Sequence, residues 1–197
     1  MREIELILIR HGKTPGNLEK RYIGRSDEDL AEEGIAEIRK FAEAGNYPPV
    51  EKLFASPMKR CLETAALIYP HLEAEIVEEI RETDFGAFEG KNYLELAEDA
   101  RYQAWIDSGG TMAFPQGESR EEFICRTVSG MERVMMSLLQ QDAKRVGLVA
   151  HGGTIMAWLS TCYGGDYYDY QVKSGRGYRV QIQAASDNWK VTHICII

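Results

Sequence analysis

Two apolar runs far apart in the chain end alike: Leu8-Ile9-Arg10-His11-Gly12 near the start and Leu148-Val149-Ala150-His151-Gly152 near the end. Each reads as a short strand rich in Ile, Leu and Val, over residues 4–9 and 145–150, that stops at His-Gly. A run apolar on both faces is buried on both, as in a parallel sheet covered by helices. Ligands of such sheets bind beyond the carboxyl ends of the strands. The two imidazoles, one past each strand end, are therefore expected in one crevice.

The intervening sequence supplies the rest of that architecture. Residues 52–55 read as another strand, followed by Ser56-Pro57 with N-cap and first-turn chemistry and a helix to about Tyr69. A further strand is expected over residues 76–80. Helices are expected at about 31–44, 119–141 and 154–162. In the long one, Phe123, Val128, Met131, Val134, Met135 and Leu138 recur at helical spacing and read as core. Tyr178, Val180 and Ile182 alternate before a second extended segment at 190–196, a hairpin at the sheet edge. Strands alternating with helices predict a three-layer α/β/α sandwich, mostly parallel with an antiparallel edge. The length of 197 residues suits one domain.

Net charge is −8, which argues against a generic nucleic-acid or anionic-membrane surface and leaves room for a local arginine pocket. Cys61, Cys125, Cys162 and Cys195 form no C-x-x-C pair. No apolar run approaches membrane-spanning length, and no basic segment followed by an apolar one opens the chain. The expectation is a cytoplasmic protein with reduced thiols.

The chemistry-bearing residues cluster at the strand ends. Arg10 places a permanent cation beside His11, and its planar fork matches phosphate oxygens. Gly12 lets backbone N–H groups approach an anion, and Thr14 and Asn17 add short donors. Arg60 lies in the first turn of the helix after the 52–55 strand, where a cation is out of place unless an anion joins it. Glu82, in Arg81-Glu82-Thr83-Asp84-Phe85-Gly86, is a carboxyl suited to general acid chemistry beside a phosphate.

Arg10-His11-Gly12-Lys13-Thr14 with Asn17 resembles the signature of the histidine phosphatase superfamily, also called phosphoglycerate mutase-like. The resemblance extends to the blocks Ser56-Pro57-Met58-Lys59-Arg60-Cys61-Leu62-Glu63-Thr64-Ala65 and Glu82-Thr83-Asp84-Phe85-Gly86-Ala87-Phe88-Glu89-Gly90. It continues through Gly117-Glu118-Ser119 and His151-Gly152-Gly153-Thr154, in the family's order over almost the whole chain. It implies His11 as nucleophile, with Arg10, Arg60 and His151 holding the phosphoryl group. It further implies Glu82 as proton donor, Gly12, Thr14, Asn17 and Gly152 as substrate contacts, and a cap-like insertion at about 84–117. Lys13 departs from the Glu that many relatives carry there. On this reading His11 attacks in its neutral form with its other ring nitrogen tied to a backbone carbonyl, and a protonated His151 helps neutralise the phosphoryl oxygens. No cofactor or metal is expected, since His11, His71, His151 and His193 show no H-E-x-x-H spacing, and His71 and His193 read as structural or exposed.

Other phosphate chemistries do not fit. There is no G-x-x-x-x-G-K-[ST] loop, and no cysteine is followed by arginine six residues on. Asp27-Glu28-Asp29 reads as a polar cap rather than an aspartyl-phosphatase motif. Within the family, Lys91 and Arg101 are the basic residues of the 84–117 region, which resembles the phosphatase branch more than the mutases. Phe88, Tyr93, Tyr102, Trp105 and Phe114 suit a ring-bearing leaving group, and the pattern is similar to that of α-ribazole phosphatases. A phosphoglycerate mutase and a non-catalytic phosphate-binding protein are the alternatives. The expected partner is a small phosphorylated metabolite, with no nucleic acid, no membrane, and a homodimer as the assembly to test.

Overall fold

Ile4, Leu6, Ile7, Leu8 and Ile9 are all fully buried in the computed structural model, which describes residues 2–185 and 188–197. They belong to β1 (Arg2–Arg10), which lies inside a six-stranded sheet rather than at its edge. Its parallel neighbour is β4 (Arg145–Ala150), followed by β2 (Lys52–Ala55) and the two-residue β3 (Glu75–Ile76), also parallel. On the other side lie β5 (Gly177–Ala184), antiparallel to β1, and β6 (Trp189–Ile196), antiparallel to β5. The strand order β3-β2-β4-β1-β5-β6 is the mostly parallel sheet with an antiparallel edge that the sequence predicts.

Alternation along β1 sorts its side chains into two cores. Ile4, Leu6 and Leu8 pack with Met131, Val134, Met135 and Leu138 of α5 (Arg120–Leu139) and with Ile155, Trp158 and Leu159 of α6 (Gly152–Cys162). Ile7 and Ile9 face the opposite way, onto Cys61 and Ala65 of α3 (Lys59–Ile68). On that side α2 (Glu32–Glu43) packs against α3. The result is helix, sheet, helix, the three-layer sandwich.

Two expectations shift. The strand expected over 76–80 is only Glu75–Ile76, followed by a 3-10 turn, Glu78–Ile80. Val77 and Ile80, three residues apart, both turn into the core, which suits a period of three better than a period of two. The helix expected to start at Ser56-Pro57 begins at Lys59, with Met58 as N-cap and no side-chain cap of its own. Asp27 supplies that cap from another loop, its Oδ1 accepting from Lys59 N at 2.7 Å.

Residues 84–117 form an excursion of short 3-10 and helical pieces, including the unforeseen α4 (Ala100–Asp107). It has its own small core of Phe88, Leu96 and Phe114, with Tyr22, Phe85, Tyr102 and Trp105 packed on it. Tyr93 stays outside that core, half exposed. No helix among the described residues is long and apolar enough to cross a membrane.

Candidate active site

The register of β1 and β4 brings the two histidines together. Arg10 is level with Ala150, so His11 and His151 each follow the last paired residue of neighbouring strands. Parallel neighbours lie about 4.8 Å apart. The two rings accordingly meet edge to face, with centroids 5.2 Å apart. Both are buried, His11 at 3% exposure and His151 at 0%.

His11 Nδ1 lies 2.6 Å from the Gly12 carbonyl, which can only accept, so Nδ1 carries the proton and Nε2 keeps its lone pair. Burial, then Arg60 and Arg10, hold the His11 pKa well below the usual imidazole value. His151 is lowered likewise, by burial first and then by Arg60, His11 and Arg10. Within the protein alone, burial first and the two guanidinium groups after it disfavour the protonated His151 that the sequence predicts beside a phosphoryl group. His151 Nε2 is 2.8 Å from the hydroxyl of Ser56, a residue whose sequence context suggests helix capping instead.

Both arginines are pinned with donors to spare. Arg10 donates through Nη1 to Val172 O at 2.8 Å, and burial lowers its pKa against the opposing pull of Glu82. Arg60, fully buried, donates to Ser26 O and Gly24 O at 2.8 and 2.9 Å. The Nε of each is buried without a hydrogen-bond partner among the described residues. Two such N–H donors beside two neutral imidazoles make a strongly anion-seeking pocket.

Glu82 enters from the loop after the 3-10 turn. Its Oε1 accepts from Thr83 N at 2.9 Å, and its Oε2 faces Gly153 N, in the first turn of α6, at 3.4 Å. A Cβ on Gly153 would stand 2.3 Å from Glu82 Oε1, so only glycine lets the carboxylate reach that helix end. Arg10, Glu82 and Gly152 line one side of a cleft of about 510 Å³. Tyr22, Phe85, Trp105, Phe114 and Tyr167 are among its other lining residues, together with the polar Arg120 and Gln171.

The loop after His11 behaves differently from expectation. Gly12 N donates to Thr64 Oγ1 at 3.0 Å, and a Cβ on Gly12 would lie 2.5 Å from Ile38 Cδ1. Gly12 is therefore needed for packing under α2, and its N–H is already engaged. Thr14 and Asn17 form a capping box on the single turn α1 (Pro15–Leu18), each side-chain oxygen accepting from the other's backbone N–H. The donors that remain are the Thr14 hydroxyl and the Asn17 amide. Lys13 points away, paired with Glu33 and Glu37 of α2. Cys61, close to His151, has its thiol pushed up to about 12 by burial, which disqualifies it as a nucleophile. His71 and His193 are exposed on the surface.

Ser56, Thr64, Thr83 and Gly153 join the site although sequence reasoning gives none of them a role in it. The one signal pointing to them is their place inside the family-like blocks around Arg60, Glu82 and His151.

Comparison with known proteins bears on the family and the fold. Residues 6–195 match the model of the histidine phosphatase superfamily (branch 1). A broad-specificity phosphatase of Saccharomyces cerevisiae is 29% identical over 169 residues, covering 79% of this chain and 70% of the relative. The crystal structure of the alpha-ribazole phosphatase from Shigella flexneri superposes with a TM-score of 0.81 at 22% identity, covering 96% of this chain and 95% of that one. The phosphoglycerate mutase from Thermus thermophilus gives a TM-score of 0.69 at 29% identity, covering 97% and 98%.

Proposed function

Because the chain belongs to the histidine phosphatase superfamily (branch 1) and is a phosphatase, we propose that it hydrolyses phosphomonoesters, without a metal, through a phosphohistidine on His11. The observation that carries this reading is the buried, neutral His11 with Nδ1 tied to a carbonyl and Nε2 unencumbered, beside two guanidinium groups.

In the first step His11 Nε2 attacks phosphorus, the N–P bond forms and the ester P–O bond breaks. The leaving oxygen takes its electron pair and a proton from Glu82. Arg10 and Arg60 balance the charge on the equatorial oxygens, and His151, positioned by Ser56, adds a hydrogen bond to them. The Asn17 amide and Thr14 hydroxyl add contacts from the loop, and Gly152 lines the cleft beside the Arg10 guanidinium. In the second step ionised Glu82 takes a proton from water, whose oxygen attacks phosphorus. The N–P bond breaks and inorganic phosphate departs.

The substrate is a small phosphorylated metabolite whose leaving group enters the aromatic cleft. Its rings suit a ring-bearing group, of which α-ribazole 5'-phosphate is one. Hydrolysis rather than mutase chemistry is supported by the 84–117 segment, whose basic residues Lys91 and Arg101 are exposed and do not line the cleft; Arg120, beyond that segment, is the cation that joins Arg10 there. The test is turnover of p-nitrophenyl phosphate and of a panel of phosphorylated metabolites with EDTA present. Hydrolysis that survives EDTA, fastest for ring-bearing esters, is expected. No turnover, or turnover abolished by EDTA, contradicts the proposal, as does isomerisation of 3-phosphoglycerate outpacing any hydrolysis.

A further inference from the structure

Glu82 carries out proton transfer only if its backbone is held still, and the loop that bears it has no regular structure from Arg81 to Phe85. Its backbone is anchored by a guanidinium and the carboxylate paired with it. Arg126, one third of the way along α5, donates through Nη1 to Glu79 O at 2.7 Å and to Arg81 O at 3.1 Å, and through Nη2 towards Glu82 O at 3.4 Å. Its other donors meet the Glu118 carboxylate, at 2.6 Å from Nη2 and 3.3 Å from Nε. Glu118 in turn accepts from Asp84 N at 2.9 Å, while Glu118 N donates to Asp84 O at 3.1 Å. The guanidinium also lies over the Phe123 ring, 5.2 Å from its centroid, and Phe123 lines the cleft.

We propose that Arg126 and Glu118 form a positioning clamp for the proton donor, fixing the backbone on both sides of Glu82 so that its carboxylate meets the leaving oxygen. The inference rests on the reading of Glu82 above. A fork with five N–H donors can satisfy three carbonyls and a carboxylate at once, which no other side chain does. Arg126 and Glu118 line a cleft with Arg25, Arg81, Asp84 and Glu82 itself, and the Arg126 charge reaches His151, yet among the described residues neither side chain is hydrogen-bonded to His11, Arg10, Arg60 or His151. The side chains of both are largely covered, 29% exposed for Arg126 and 16% for Glu118. Their worth is therefore placement, and displacement by an ångström costs about a hundredfold in rate.

Proton donation matters most where the leaving group is basic. Arg126→Gln should lower kcat/KM for 2-phenylethyl phosphate by about 100-fold. For p-nitrophenyl phosphate, whose nitrophenolate leaves without protonation, the same variant should lose less than about tenfold. Glu118→Gln, which keeps the acceptor for Asp84 N, should show a smaller version of the same asymmetry, and Arg126→Lys should recover part of the loss. Glu82→Gln serves as the reference, and adding Arg126→Gln to it should cost nothing further for the alkyl ester. Equal losses for both esters in Arg126→Gln would overturn the clamp, since a merely structural role lowers the active fraction without regard to leaving group. Asymmetry in Glu82→Gln but not in Arg126→Gln sinks the clamp alone. No asymmetry in Glu82→Gln sinks the proton-donor reading and the clamp with it.

Discussion

A histidine that is to attack phosphorus must be neutral, and this pocket secures that by burial and by cation neighbours rather than by a carboxylate partner. The consequence for stability has a definite sign. An unfolded histidine takes up its proton near pH 6.5. His11 and His151 in the folded chain resist protonation until lower pH, so below 6.5 the unfolded chain binds protons first. Folding free energy is therefore at its full value above pH 6.5 and falls as the pH drops below it, by up to about 1.4 kcal/mol per pH unit for each imidazole. Denaturant unfolding between pH 7 and 5.5, with imidazole NMR signals followed in the native protein, checks this. Both rings should remain neutral through pH 6; titration of either at 6.5 would contradict the electrostatic account. His11, His151 and Arg10 are legible in the sequence because strand ends expose them. The lowered pKa of His151 is not, since it depends first on how completely the fold buries the ring and then on Arg60 approaching from another element.

At the scale of elements, the first turn of α6 does two jobs. The Gly153 N–H faces the Glu82 carboxylate, and the same glycine leaves the space in which that carboxylate sits. Gly153 has an ordinary helical backbone, so alanine there would gain about 1 kcal/mol of helix propensity. Its Cβ would meet Glu82 Oε1 at 2.3 Å and Phe123 at 3.0 Å, however. Gly153→Ala is expected to keep the fold, leave the thermal midpoint within a few degrees of the parent, and lower kcat/KM at least tenfold, by about the hundredfold that a misplaced group costs. Full activity in this variant would show that Glu82 does not need the helix end. The core helices α2, α3, α5 and α6 and the long strands are readable from their buried apolar faces, whereas α4 buries no residue and leaves no such signal. Residues 75–80 mislead because Ile76, Val77 and Ile80 read as one apolar strand, whereas the strand ends at Ile76 and Val77 and Ile80 enter the core at the three-residue spacing of a 3-10 turn. Ser56 misleads for a related reason: its hydroxyl has cap chemistry, but the helix starts later and the hydroxyl turns to His151.

Across the whole molecule, the site gathers residues from β1, the loop at 24–26, α3, the 3-10 turn and its following loop, and the β4–α6 junction. The adjacency of the two central strands is legible from their His-Gly ends. The cap is less so: its existence follows from the family resemblance, but Tyr22 and Phe85 join its aromatic cluster, and Tyr167 the cleft, through tertiary packing alone. All of this assembly converges on one atom, Nε2 of His11. The most direct test mixes the protein briefly with a phosphate-labelled ester, quenches at alkaline pH, where phosphohistidine survives, and maps the label by peptide mass spectrometry. The account predicts phosphate on His11, absent from His11→Ala together with activity. Label on another residue, or full turnover by His11→Ala, would contradict it.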